Sequence, residues 1–337
     1  MNFDTAHDTS RTPHGSSDDP DVLDFSANTN PHVPEGTEAA YRDAFEGART
    51  YPAEPPAEYR RAAADYVGCD PELVIPTPGG LAAIRLAIDL AVDPGDSVAV
   101  PSPSFGEYDR EVRLQGGEPE YVPQSVITDA DPTDHALVIV CNPNNPTGNA
   151  YPDDDLRALA ARCRDAETPL LVDEAFLGFT GQSSLSGVDG VIVARSLTKL
   201  FGLPGIRAGF AVATGAWGEA LANARRTWNL GAPALAVGAH CMRQRGFIAE
   251  TRDRVASERE RMREALVDVG YGVHPSKSPF LLLDAGERGV DAVVDGAAEA
   301  GIAVRDARTF RGLDSHIRVA VRTPAENDRL LEVLRAF

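Results

Sequence analysis

From about residue 79 to 213 the chain alternates short apolar, β-branched runs with helical stretches, and this alternation limits the fold more than any other feature. The runs are "SVAVPSPSF", "LVIVCNPNNPTG", "PLLVDEAF", "GVIVARSL" and "RAGFAVA", each closing on polar or glycine residues. Helical spacing appears in "GGLAAIRLAIDLAV" (79–92) and "DDDLRALAARCRD" (153–165). Successive β and α units of this kind predict an α/β fold with a mainly parallel sheet covered by helices. Ligands of such sheets bind beyond the carboxyl ends of the strands, and the unusual residues of this chain fall there. After about residue 233 the texture changes. "FIAETRDRVASERERMREALVDVG" predicts one long charged helix as a connector. "SPFLLLDAG", "GIAVRDA", "HIRVAVR" and "AENDRLLEVLRAF" predict a small α+β unit with a closing helix. The expected division is an arm (1–30), a large domain (31–232), and a connector helix with a small C-terminal domain (233–337).

The charge balance narrows the partners. Acidic residues outnumber basic ones by 51 to 32, a net −19. Such a surface repels phosphate backbones and anionic lipid, which argues against nucleic acid and membrane. The four cysteines have no paired spacing and the seven histidines no metal-ligand pattern, so free thiols and no metal are expected. The polar N-terminus lacks a signal-peptide stretch and no run approaches a membrane span. The expectation is a soluble, cytoplasmic and salt-adapted protein. An anionic substrate would then need a local cationic pocket.

Of the 32 lysines and arginines only Lys199 and Lys277 are lysines. Arginine stays protonated, whereas lysine can lose its proton and act as an amine nucleophile. Keeping Lys199 in "RSLTKLFGLPGIRAGF" (195–210), between hydroxyls and a glycine-rich turn, marks it for chemistry. Its surroundings suit a phosphorylated pyridine aldehyde, which needs a lysine for an imine, a carboxylate at the ring nitrogen and donors for phosphate. Asp173 ends the run "LLVD", where a charge is costly without a cationic partner. Asn145 lies in the proline-framed "NPNNPTG" and can hold an amide at the ring hydroxyl. Gly79, Gly80 and Leu81 open a helix whose free amides suit phosphate. Ser196 and Arg207 can complete that cup, and Phe105 of "PSPSF" can stack on the ring.

The order GG-helix, "PSPSF", "NPNNPTG", "VDEAF", "SLTKLFGLPGIRAG" closely resembles the fold-type I pyridoxal-phosphate enzymes of aminotransferase class I/II, over almost the whole chain. The resemblance implies pyridoxal 5'-phosphate (PLP) as cofactor and a large PLP-binding domain. It makes Lys199 the Schiff-base lysine, Asp173 the pyridinium partner, Asn145 the ring-hydroxyl donor and Phe105 the stacking ring. Gly80, Leu81, Ser196 and Arg207 hold the phosphate. Tyr51 of "TYPAEP" matches a tyrosine that reaches the neighbouring subunit's phosphate, implying a homodimer with shared active sites. Arg318 of "HIRVAVR" matches the arginine that holds the substrate carboxylate.

Within this superfamily "LDFSANTNP", "PSFGEYDR", "VRDARTFRGL" and "IRVAVRTPAEN" resemble the threonine-phosphate decarboxylase branch, which forms (R)-1-amino-2-propanol O-2-phosphate for cobalamin biosynthesis. Histidinol-phosphate aminotransferase is the near alternative. Phe176 stands where aminotransferases usually carry tyrosine, and Arg322 where they have glycine. Alternation along one strand would place Arg318 and Arg322 on one face, as a substrate with both carboxylate and phosphate requires. Three departures stand beside these matches: "TPGG" replaces a glycine–asparagine–glycine, Pro279 an asparagine, and "HGS" leaves His14 without an assigned role.

Overall fold

The computed structural model describes residues 3–337. The amino-terminal segment carries α1 (Phe3–Asp8) and β1 (Leu23–Asp24), then α2 (Thr37–Gly47) and α3 (Ala57–Val67). The alternating region runs β2 (Val74–Thr77), α4 (Gly80–Ala91), β3 (Ser97–Ser102), α5 (Glu107–Gln115), β4 (Glu118–Pro123), β5 (Leu137–Cys141) and α6 (Asp153–Asp165). It closes with β6 (Leu170–Asp173), β7 (Val191–Ser196) and β8 (Gly209–Val212). Helices α7 (Gly215–Ala224), α8 (Ala232–Met242) and α9 (Arg245–Asp268) follow. The last unit comprises β9 (Gly272–Val273), β10 (Phe280–Asp284), α10 (Val290–Glu299), β11 (Ile302–Ala303), β12 (Arg305–Asp306), β13 (His316–Ala320) and α11 (Pro324–Leu334).

The main sheet has the order β2-β8-β7-β6-β5-β3-β4. Strands β4, β3, β5, β6 and β7 pair in parallel, and β8 runs antiparallel to both its neighbours. This is the mainly parallel α/β sheet that the alternation predicts. Strands β2 and β4, which apolar patterning does not mark, are its two edges. Both contain proline ("VIPT", "EPEYVP"), which an edge tolerates because one side of the strand has no ladder to complete.

Alternation along the central strands feeds two cores. Val138, Val140, Val172 and Val193 pack with Leu156 and Leu159 of α6. Leu137, Ile139, Leu171 and Ile192 pack with Ala83, Ile84 and Ile88 of α4. Each large side chain so buried contributes on the order of 1.5–3 kcal/mol, and the sandwich makes the strand ends rigid. From β3 the chain steps outward to β4, then returns through β5, β6 and β7 in the opposite direction. The crevice lies at that reversal, between the carboxyl ends of β3 and β5.

The predicted connector is the 24-residue helix α9, about 36 Å long at 1.5 Å per residue. Its buried positions Ile248, Thr251, Val255, Glu258, Met262 and Leu266 recur every three or four residues, one face of a helix. The small unit is an antiparallel sheet, β12-β13-β10-β9. Residues 23–24, within the span read as an arm, pair in parallel with β11, and Ala320 N donates to Phe25 O at 2.8 Å. The arm thus enters the fold through the small unit, carrying residues 12–15 across the mouth of the crevice. Among the described residues no helix is long and apolar enough to cross a membrane.

Candidate active site

A cavity of ≈ 370 Å³ opens at the strand ends and receives Gly80, Leu81, Phe105, Asn145, Asp173, Ser196, Lys199, Arg207 and Arg318. These come from five strand–loop junctions of the main sheet and from strand β13, so only the folded chain brings them together. Of the residues given a binding role from the sequence, Gly79, Tyr51 and Arg322 do not line this cavity.

Gly79 is the hinge before α4, with φ 95°. A Cβ there would sit 2.7 Å from Arg207 Nη2, so glycine is required by backbone and by neighbour alike. Arg207 itself has φ 55°, an uncommon left-handed conformation for a side-chain-bearing residue. Its guanidinium bonds the Pro204 and Pro78 carbonyls at 3.3 and 3.4 Å and makes no ion pair among the described residues. Ser196 Oγ lies 2.8 Å from Thr198 Oγ1 beside it. Backbone amides at a helix start, a hydroxyl and an unpaired guanidinium form a cup for an anion.

Asp173, at the end of β6, is buried. Tyr108 donates its hydroxyl to Oδ2 at 2.6 Å and Ala175 N donates to Oδ1 at 2.9 Å. Burial holds this carboxyl above its ordinary range, against the opposing pull of Tyr108, Ala175, Arg195 and Lys199. Tyr108 was not anticipated. It sits three residues after Phe105, in the first turn of α5, and its N–H donates to Phe105 O at 3.2 Å across the turn that precedes the helix. Phe105 and Tyr108 meet edge to face with centroids 5.6 Å apart.

Lys199 follows β7 and has its ammonium pushed down to about 8, by burial first and then by Arg318 and Arg207. Because its ordinary value is 10.5, the folded chain binds fewer protons than the unfolded chain between about pH 8 and 10.5. Stability of the cofactor-free protein is therefore expected to rise with pH across that window. Capture of an aldehyde, which needs the free amine, is expected to accelerate with a midpoint near pH 8. A capture rate that is flat from pH 6.5 to 9.5, followed by absorbance, contradicts the shift.

Arg318 projects from β13 and is buried. It donates to Asn145 Oδ1 and, at 3.0 Å, to Ser26 O. Directly opposite it in the antiparallel ladder stands Arg305 of β12, which also lines the cavity. Arg305 donates to Pro13 O at 2.7 Å and Thr309 Oγ1 at 2.8 Å. Neither arginine has a carboxylate within ion-pair distance among the described residues. Burial, and then Arg305, drive Arg318 down to about 9. Two cations facing each other across a ladder destabilise it, and Arg318 Nε and Asn28 Oδ1 are buried without partners. The arm closes over this pair: a Cβ on Gly15 would meet Arg305 Cδ at 2.9 Å, and His14 lies 3.1 Å from Glu107.

Arg322 is a correction to the sequence reading. Strand β13 ends at Ala320, so the alternation that would bring Arg322 beside Arg318 in the cavity does not continue. Arg322 instead donates to Asp24 O at 3.1 Å and to Glu326 Oε1 at 2.8 Å, clamping the arm to the start of α11. The second cation of the cavity is Arg305. Tyr51 is 75% exposed and stacks on Trp228 at 4.2 Å.

The aminotransferase class I and II family profile matches residues 20–334. A histidinol-phosphate aminotransferase of Archaeoglobus fulgidus is 32% identical, over 94% of this chain and 93% of its own. A provisionally named threonine-phosphate decarboxylase of Caldanaerobacter subterraneus is 35% identical, over 84% and 82%. Histidinol-phosphate aminotransferase from Sinorhizobium meliloti, solved in complex with pyridoxal 5'-phosphate, superposes with a TM-score of 0.84 at 24% identity, covering 94% and 91%. The cavity fits that cofactor: an amine titrating near 8, a buried carboxylate, an anion cup at a helix start and an aromatic wall meet in one volume. The chain therefore belongs to the aminotransferase class I and II family and is an enzyme that uses pyridoxal 5'-phosphate.

Proposed function

We propose that this enzyme is a homodimer that decarboxylates L-threonine O-3-phosphate to 1-amino-2-propanol O-2-phosphate. The observation that carries the reading is the Arg305–Arg318 cross-strand pair, buried in the cavity without carboxylate partners. Such repulsion is offset by a ligand with two anionic groups, and threonine phosphate brings a carboxylate and a phosphate. The 35% identical relative supports the same substrate. Phe176 adds a hydroxyl-free wall, packed edge-on against Phe280 at 5.2 Å.

Lys199, Asp173, Asn145, Phe105, Gly80, Leu81, Ser196 and Arg207 would hold the cofactor. Bound there, PLP would supply an electron sink for the pair left by a broken α-carbon bond, and the bond broken would depend on where the protein holds the substrate's anionic groups. Arg318, fixed by Asn145 and Ser26 O, suits the carboxylate. Arg305, fixed by Pro13 O and Thr309, suits the phosphate. Together they set which bond is upright. Lys199 Nζ, with a proton affinity matched to neutral pH, returns a proton to the α-carbon after carbon dioxide leaves. Residues 12–15 of the arm shield the site from water.

The second reading, histidinol-phosphate transamination, is favoured by the relative matched over 93% of its length. Purified enzyme is expected to release carbon dioxide from threonine phosphate. Glutamate from histidinol phosphate and 2-oxoglutarate, with no carbon dioxide from threonine phosphate, establishes the second reading instead.

The dimer accounts for Tyr51, whose exposed hydroxyl reaches a phosphate only in a neighbouring subunit. Tyr51→Phe is expected to weaken cofactor retention by about 0.5–1.5 kcal/mol, one ordinary hydrogen bond. Unchanged retention in dialysis, or full activity of a monomer, contradicts the shared site.

A further inference from the structure

A second cavity, of ≈ 500 Å³, lies behind the ends of β6 and β7. Strand alternation separates it from the first. Asp173 and Ser196 line the cofactor cavity, while Arg195 lines the second, together with Arg157, Arg252 and three serines of the loop 183–186. Arg195 is buried and pairs with Glu174 at 3.0 Å. Both oxygens of that carboxylate are already engaged, Oε2 by Arg195 and Ser184 (2.6 Å) and Oε1 by Leu185 N (2.9 Å). The Ser184 hydroxyl proton is thus committed to Glu174, and Ser186 Oγ bonds Ser184 Oγ at 2.7 Å.

Arg252 spends its Nε on Gly178 O at 2.8 Å, which orients the guanidinium and leaves both Nη groups without hydrogen-bond partners among the described residues. Arg157 and Ser183 have no hydrogen-bond or ion-pair partner among the described residues. No carboxylate lines the cavity. Arg195 is neutralised by Glu174, but Arg157 and Arg252 bring two uncompensated cations to one polar volume, where an anion between them offsets their repulsion. Guanidinium forks and hydroxyls together match the tetrahedral oxygens of a phosphate group.

We propose that this second cavity is a binding site for a small oxyanion, inorganic phosphate or the phosphate of a small monoester, held by Arg157, Arg252 and the Ser183 hydroxyl, with the Glu174-paired Arg195 behind them. Its position ties it to catalysis. Glu174 is adjacent to Asp173 and Arg195 to Ser196, so an anion there bears on the two strand ends that carry the cofactor's contacts.

The test uses PLP-saturated enzyme carrying Arg305→Gln, so that the cofactor phosphate cup is filled and the substrate cavity has lost a cation. Inorganic phosphate and glycerol phosphate are titrated in separate calorimetric runs. Saturable binding is expected from at least one, and the tighter of the two identifies the source. Adding Arg157→Ala, at an exposed helical position where alanine favours folding, is expected to weaken binding about tenfold. Crystals soaked in selenate should show its anomalous signal between Arg157, Arg195 and Arg252. No saturable binding of either probe, affinity unchanged by Arg157→Ala, or selenate found only beside Arg318 overturns the proposal.

Discussion

Replacing Lys199 by alanine is expected to lower turnover by about 10²–10⁴-fold, the usual contribution of a positioned acid–base group. The same change should abolish borohydride-stable attachment of the cofactor. The reason lies in the position of the amine. Burial and two neighbouring guanidiniums bring it down to about 8, so a useful fraction is unprotonated at neutral pH. An arginine there would stay charged. Lys277, the other lysine, is exposed and stands outside the cavity, so Lys277→Arg should retain both activity and attachment. Mass spectrometry of the reduced protein decides: pyridoxal on Lys277 would overturn the assignment.

Arg318→Gln and Arg305→Gln should each raise KM for threonine phosphate about 10- to 150-fold, the loss of a charge-assisted contact worth about 1.5–3 kcal/mol. The two are distinguishable with threonine itself, which lacks the phosphate. Arg305→Gln should leave threonine turnover nearly unchanged, while Arg318→Gln should depress it further. Neither variant should be less stable than the parent, since each removes one of two like charges facing each other across the ladder. Arg322→Gly should show the reverse pattern. It loosens the clamp on Asp24 O and Glu326, lowering stability with little specific effect on KM. A large KM change from Arg322→Gly with none from Arg305→Gln would return the second cation to Arg322. Carbon dioxide release, glutamate formation and thermal melting measured on the same preparations separate these outcomes.

Local patterning made the strand-end half of the cavity legible. Each of its residues sits where an apolar run ends or a helix begins, and the sheet's parallel order sends all such ends to one edge. Lys199, Asp173, Asn145, Phe105 and the Gly80–Leu81 turn could therefore be grouped before any coordinates. Tyr108 was not, because Phe105 lies before α5 and the turn between them, not helical spacing, brings the two rings together.

The half of the cavity formed by the small unit was not legible in the same way. Arg305 belongs to a two-residue strand, too short for any periodic signal, and it meets Arg318 only through the register of an antiparallel pair. Arg322 looked equivalent because alternation was extended past a strand that stops at Ala320. Ladder registration and strand termination depend on contacts between distant segments, here the small sheet and residues 23–26, and one-dimensional spacing does not encode them. The sequence by itself determined the mainly parallel sheet and the lysine-centred cavity at its edge, since both follow from period and order along the chain. Which two arginines share the cavity, and which one clamps the arm, was decided by the tertiary structure, because that choice rests on cross-strand pairing.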